Sequence, residues 1–168
     1  YMFARIEVNN ALSSKNHFNY SSITRCVSEE SRAWYALRLN CGNVCCPSSN
    51  ISSNKCYGQS IFCQPFCDSN SVTCSFTYSS FADNIDVGYT LFILWTTGAK
   101  YEIKSCNILR NTQGEFGSEG TIYSSGNTMI EDSCILENKA TYIFRQSSSS
   151  YTITLSNCTV DLTSNNGY

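Results

Sequence analysis

The clearest pattern along the chain is a large apolar residue followed, after two positions, by asparagine. It occurs as Phe81-Ala-Asp-Asn84, Ile108-Leu-Arg-Asn111, Ile135-Leu-Glu-Asn138 and Leu162-Thr-Ser-Asn165, each copy 27 residues after the last. Four copies in register without drift mark a stacked repeat. Between them, Tyr101–Ser105 and Tyr151–Leu155 alternate apolar and polar positions, the period of a half-buried strand. Leu91–Trp95, Thr121–Tyr123 and Thr141–Phe144 add another short apolar run to each unit. Every unit thus offers about three short strands separated by Gly, Ser and Asn turns. The pattern predicts an all-β chain folded as a right-handed parallel β-helix, each strand pairing at ~4.8 Å with its equivalents above and below.

Charges agree with that register. Residues 27 apart stack, so Asp83, Arg110 and Glu137 form one column of alternating sign, and Lys104 with Glu131 a second. The repeated Asn is expected at a turn, where its side chain tolerates left-handed backbone and bonds neighbouring coils. Residues 1–40 contain the strand-like pieces Met2–Val8, Ser22–Cys26 and Trp34–Leu39 and read as degenerate N-terminal coils. Residues 41–70 break the rhythm and read as an inserted Cys-rich loop, leaving 71–168 as the regular coils.

Composition sharpens the class. Ser, Asn and Thr number 27, 17 and 14, about a third of the chain, and all three are poor in helix interiors because they compete for backbone hydrogen bonds. The net charge of −2 and the lack of any Lys/Arg run argue against nucleic acid or acidic membranes as partners. The longest apolar stretch, Tyr89–Trp95, falls well short of the ~20 residues a spanning helix needs. Eleven cysteines are many for a compartment that keeps thiols reduced.

The apolar-x-x-Asn units, with the Gly-rich lead-in Gly117-Ser-Glu-Gly-Thr-Ile-Tyr123, resemble the Phe-x-x-Asn and Gly-Gly-Ala-Ile repeats of polymorphic outer membrane proteins. The strings Cys106-Asn-Ile-Leu-Arg-Asn111 and Cys134-Ile-Leu-Glu-Asn138 are similar to the Cys-containing β-helix surface proteins of trichomonad parasites. The resemblance spans about Ser71–Asn165. It departs in having Ile or Leu for Phe in three of the four copies, and Glu-Gly-Thr-Ile for Gly-Gly-Ala-Ile. It implies a β-helix displayed at a cell surface and used for adhesion.

Six cysteines crowd the irregular segment: Cys41, Cys45, Cys46, Cys56, Cys63 and Cys67. A loop without its own core is stapled by disulfides, and at least two are expected among these six. The alternative is zinc, because Cys41-x3-Cys45 and Cys63-x3-Cys67 approximate a four-thiolate spacing. Cys46 and Cys56 have no place in such a site and favour disulfides. Cys74, Cys106, Cys134 and Cys158 recur once per coil and are expected to face inward as small apolar residues.

A β-helix can also be a carbohydrate lyase or hydrolase, with several acids converging on one face. Candidates would be the Asp83/Arg110/Glu137 column and Glu131-Asp132, but alternating signs suit coil-to-coil pairing better than catalysis. His17 lies in a polar stretch without a partner motif. Thr152-Ile-Thr154 has the look of an ice-binding Thr array but is not repeated in neighbouring coils. Three glycosylation sequons, at Asn19, Asn50 and Asn157, are no more than about four that this Asn, Ser and Thr content would produce by chance. The reading is therefore a non-enzymatic extracellular or cell-surface scaffold without cofactor, whose exposed Tyr123, Tyr142 and Tyr151 meet a host or matrix protein or glycan. A purely structural array segment is the remaining alternative. With no capping element at either end, the 168 residues are expected to belong to a longer surface protein and to self-associate through open ends.

Overall fold

The computed structural model describes residues 2–26, 34–86, 88–93, 99–113, 120–161 and 166–167. The fourth repeat copy, Leu162–Asn165, lies outside them, as do Gly117–Glu119 and Leu94–Trp95. Among the described residues there is no helix; every element is a short strand. The first coil carries β1 (Met2–Glu7), β2 (Lys15–His17) and β3 (Ser22–Thr24). The second carries β4 (Tyr35–Asn40), β5 (Asn43–Pro47), β6 (Asn50–Ser52) and β7 (Lys55–Cys56), and the third β8 (Gln59–Gln64), β9 (Val72–Thr77), β10 (Ser80–Ala82) and β11 (Ile85–Asp86). Next come β12 (Leu91–Ile93), β13 (Lys100–Lys104), β14 (Asn107–Leu109) and β15 (Thr112–Gln113), then β16 (Gly120–Ser124), β17 (Asn127–Glu131) and β18 (Cys134–Leu136). The last are β19 (Tyr142–Gln146), β20 (Ile153–Ser156), β21 (Thr159–Val160) and β22 (Asn166–Gly167).

Equivalent strands pair in parallel, coil upon coil, making a β-solenoid. Sheet A runs β1-β4-β8-β12-β16-β19-β22, sheet B runs β2-β5-β9-β13-β17-β20, and sheet C runs β3-β6-β10-β14-β18-β21. A narrow sheet D joins β7, β11 and β15. The expected 27-residue register is present: Phe81 pairs with Ile108, and Ile108 with Ile135. All three are fully buried, in a column that continues to Ile51 and Ile23 on one side and Val160 on the other. Sheet A adds Leu37, Ile61, Leu91 and Ile122 to the interior, and sheet B adds Cys46, Phe76, Ile103 and Ile130. Burying each such Leu, Ile or Phe contributes about 1.5–3 kcal/mol, and the alternation of faces along each strand makes the register the only one that buries them all.

Two corners per coil are set by residues in the left-handed region. After sheet B these are Tyr20, Ser48, Tyr78, Ser105, Asp132 and Asn157; after sheet C they are Arg25, Ser53, Asp83, Arg110 and Glu137. The left-handed residue is thus the one before the repeated Asn, not the Asn itself. The Asn turns inward instead. Asn84 Nδ2 donates to the Asn111 Oδ1 at 2.9 Å and to the Ile51 carbonyl at 2.9 Å, and Asn111 repeats the pattern on Asn138 and Phe81. Each Oδ1 also accepts the backbone N–H of the Asn one coil before. The ladder extends to Asn54, which the 27-residue spacing misses because it lies 30 residues before Asn84.

One expectation is corrected. Residues 41–70 are not an inserted loop but complete one coil and begin the next, through β5, β6, β7 and β8. Ile51-Ser-Ser-Asn54 is a further copy of the repeat; Cys46 and Cys63 fill interior positions that Ile103 and Ile93 hold in later coils, and Cys56 is buried in β7. The extra length lies in the connection from β8 to β9, so the faces keep register while the spacing changes.

Replacing Asn84 by Ala would strand the Ile51 carbonyl and the two Asn54 donors inside the corner. We expect a loss of roughly 3 kcal/mol or more in urea unfolding, given about 1–3 kcal/mol per buried group left unsatisfied. Ala at the exposed Asn107 should change the midpoint little.

Candidate binding surface on sheet A

The outer face of sheet A carries a column that sequence spacing does not show. In strand register it reads Arg5, Arg38, Phe62, Phe92, Tyr123 and Arg145. Phe62 and Phe92 stack with centroids 5.6 Å apart, and Phe92 and Tyr123 at 4.5 Å with 18° between planes. Tyr35 leans on Phe62 at 4.9 Å, while Tyr89 packs against both Phe92 and Tyr123. Parallel strands force this geometry, because residues in register sit about one strand spacing apart and planar rings then stack with offset. Phe62 and Tyr89 are buried within the strip, and Tyr35, Phe92 and Tyr123 are half-buried at its surface.

Guanidinium groups flank the strip. The Arg38 guanidinium lies over the Phe62 ring at 4.9 Å and the Tyr35 ring at 5.5 Å, while its Nε donates to Asn40 Oδ1. At the far end Arg145 lies over Tyr142 at 5.9 Å and donates to the Tyr89 hydroxyl at 3.0 Å. Arg5 pairs with Glu7 on the same face. Among the described residues, this column and its strand neighbours hold three arginines and one acid, in a chain whose net charge is −2. The ring spacings here, 30 and 31 residues, differ from 27, which hides the column from a search for one fixed period.

Of the tyrosines expected to be exposed, Tyr123 and Tyr142 lie half-buried on this face, and Tyr151 lies in the turn before β20. A concavity of about 240 Å³ opens on the outer face of sheet B between Val72, Lys100, Glu102, Met129 and Thr154.

Of the acids of the alternative enzyme site, Asp83, Glu131 and Asp132 are tied into coil-to-coil contacts. Arg110 Nε and Nη2 grip Asp83 at 2.7 and 2.9 Å, and Lys104 Nζ meets Glu131 at 2.8 Å. Asp132 accepts from Asn157 Nδ2. The two predicted charge columns therefore exist, and they act across coils. His17 stands beside Cys45 on the outer face of sheet B, a neighbour that separation along the chain conceals.

The cysteines are distributed otherwise than expected. No disulfide joins any of the eleven in this structure. Cys41, Cys45, Cys46, Cys56, Cys63 and Cys67 do not cluster in one loop: Cys46 and Cys63 point into the interior, Cys45 faces the other side of its strand, and Cys67 is exposed in the connection after β8. For the same reason the zinc quartet Cys41, Cys45, Cys63 and Cys67 does not converge, and no metal-binding group of His, Cys, Asp or Glu forms among the described residues. Nor do the four later cysteines share one column. Cys106 and Cys158 occupy the corner after sheet B, each thiol donating to a carbonyl of the preceding coil, at Phe76 and Ile130. Ser49 and Ser79 hold the same corner in earlier coils, with hydroxyls on the carbonyls of Phe18 and Cys46. Cys74 sits inside sheet B, and Cys134 lies half-buried at the start of β18. Burial drives the Cys46 and Cys63 thiols well above the usual thiol range, and Cys106 is pushed up to about 11, so none is a thiolate at neutral pH. Asn19, Asn50 and Asn157 are all exposed.

No family model, curated protein or solved structure matches the chain.

The Arg110 hydrogen bonds hold the Asp83 carboxyl below its ordinary range. A lowered folded pKa contributes stability above the unfolded value of about 3.9, and that contribution disappears as pH falls through the folded value. We expect Asp83→Asn to flatten the acid limb of the stability profile slightly, read as urea midpoints between about pH 5 and pH 2. The change should be small because the pair is solvent-exposed.

Proposed function

We propose that this chain is a non-enzymatic, extracellular or surface-displayed scaffold that binds an anionic glycan on the outer face of sheet A. The observation that carries the reading is the arginine-flanked aromatic column in an otherwise acidic chain. Arginine suits carboxylate and sulfate because its fork donates two parallel hydrogen bonds, and rings in contact with it hold the fork in place. The aromatic edges supply apolar contact for sugar C–H groups, and the long parallel face suits a repeating polymer better than a compact ligand. The same reading accommodates glycans on Asn19, Asn50 and Asn157, which all lie away from sheet A, on the sheet C side and its corners. The acids paired across coils support a scaffold over a lyase or hydrolase.

The test is binding of the chain to immobilised heparin, polygalacturonate and neutral dextran. Binding to the sulfated or carboxylated polymer should weaken at least tenfold in Arg38→Ala/Arg145→Ala and fall steeply as salt rises. Equal binding to dextran, or binding unmoved by the double substitution, would overturn the assignment of this face. Release of reducing ends from polygalacturonate by the purified chain would overturn the non-enzymatic reading.

A further inference from the structure

Cys63 and Cys74 face each other across the corner that joins sheet A to sheet B. Register shows why. Cys63 stacks on Ile93, which stacks on Ser124; Cys74 stacks on Tyr101, which stacks on Thr128. The Ser124 and Thr128 hydroxyls, two coils further along, are the equivalents of the two thiols, and they touch at 2.6 Å inside the corner. The columns through Cys63 and Cys74 therefore converge where short side chains occupy both positions. Both cysteines are fully buried, and the neighbouring Cys74 thiol adds to the burial that holds the Cys63 thiol well above its ordinary range. Cys46, the other interior thiol nearby, lies one strand away in register with Phe76, diagonal to Cys74 along the same sheet. A disulfide needs its β-carbons about 4 Å apart with converging side chains, a condition that favours the cross-corner pair over the diagonal one.

We infer that Cys63 and Cys74 form a disulfide that staples sheet A to sheet B when the chain folds in the presence of a low-molecular-weight disulfide. One cysteine thiolate attacks the small disulfide, releasing one small thiol and leaving a mixed disulfide. The other cysteine then displaces the second small thiol and closes the protein bond. The protein dithiol is oxidised by two electrons, the small disulfide is reduced to two thiols, and the protons go with them. Exchange requires a thiolate and access, and the closed coil denies both. The bond therefore forms before the coil closes, and once formed it is shielded from reductants. The inference is independent of what sheet A binds.

The test refolds the full, reduced chain from denaturant in a mixture of glutathione and glutathione disulfide, and in parallel with reductant only. A non-reducing digest with chymotrypsin and an Asp-directed protease cuts at Phe62, Phe66, Phe76 and before Asp68, separating Cys63 and Cys74 from Cys67. The dominant crosslinked species should join the Cys63 and Cys74 peptides, about 2 Da lighter than the pair of thiol peptides. The oxidised chain should unfold at higher urea than the reduced chain, and its crosslink should resist dithiothreitol until urea is added. Cys63→Ser and Cys74→Ser should each abolish the crosslink and the gain in midpoint. Dominant pairing among other cysteines, or a Cys63–Cys74 crosslink that lowers the midpoint, would overturn the inference. The wild-type peptide map decides the pairing even if neither variant folds.

Discussion

The buried asparagine ladder is the constraint on which the rest of the solenoid hangs. A sharp corner leaves main-chain groups that neither adjoining sheet can satisfy, and water cannot reach them inside. Asn is suited to the task because one short side chain carries both a carbonyl oxygen and an amide with two donors. The Asn84 Oδ1 accepts the N–H and amide of Asn54 in the coil before, while its own amide donates back to the Ile51 carbonyl of that coil and forward to Asn111 in the coil beyond. Because every link joins three coils, the ladder sets the stacking of sheet C, and sheet C sets which residues of sheets A and B face inward. Gln would reach too far, and Asp would place a charge in the interior without the donors. At the other corner the same need is met by a column that accepts Ser or Cys equally, since either can reach one carbonyl of the preceding coil.

How much of this was legible follows from where the period is constant. Between Phe81 and Asn138 the coils are of equal length, so the repeat, the interior column and both charge columns can be read directly. Before Phe81 the connection between β8 and β9 is longer, the spacing becomes 30, and Ile51-Ser-Ser-Asn54 falls out of phase. Cysteine compounded the difficulty. In a segment already out of phase, Cys46, Cys56 and Cys63 suggest staples or ligands, whereas the fold uses them first as small apolar side chains. The aromatic column on sheet A was illegible for a related reason: its rings lie 30 and 31 residues apart even where sheet C keeps a spacing of 27, and only strand pairing shows that they touch. What a face recognises is harder to read than what it is made of, because recognition depends on which groups remain uncommitted after neighbours have stacked.

The outer surface and the interior thus obey different rules. Inside, one position per strand on sheet C must be apolar, and the corners must carry a hydrogen-bonding side chain. Outside, only compatibility up a column matters, which is why opposite charges, rings or a cation above a ring all recur at stacked positions. A new column can arise by changing residues one coil at a time without disturbing the core. The arginine-flanked rings illustrate how a distinctive surface can be written onto such a frame.

All the sheets are parallel and pair coil to coil, so nearly every backbone hydrogen bond points along the long axis of the molecule. Such a body has a mechanical grain. Tension on a terminal strand, directed along the axis, is collinear with these bonds and opens them one after another, each asparagine link in its turn. Force directed along the strands loads a whole row of them in shear at once. A tether pulling end to end would therefore peel this protein coil by coil, while the same load applied along its strands would find it stiff.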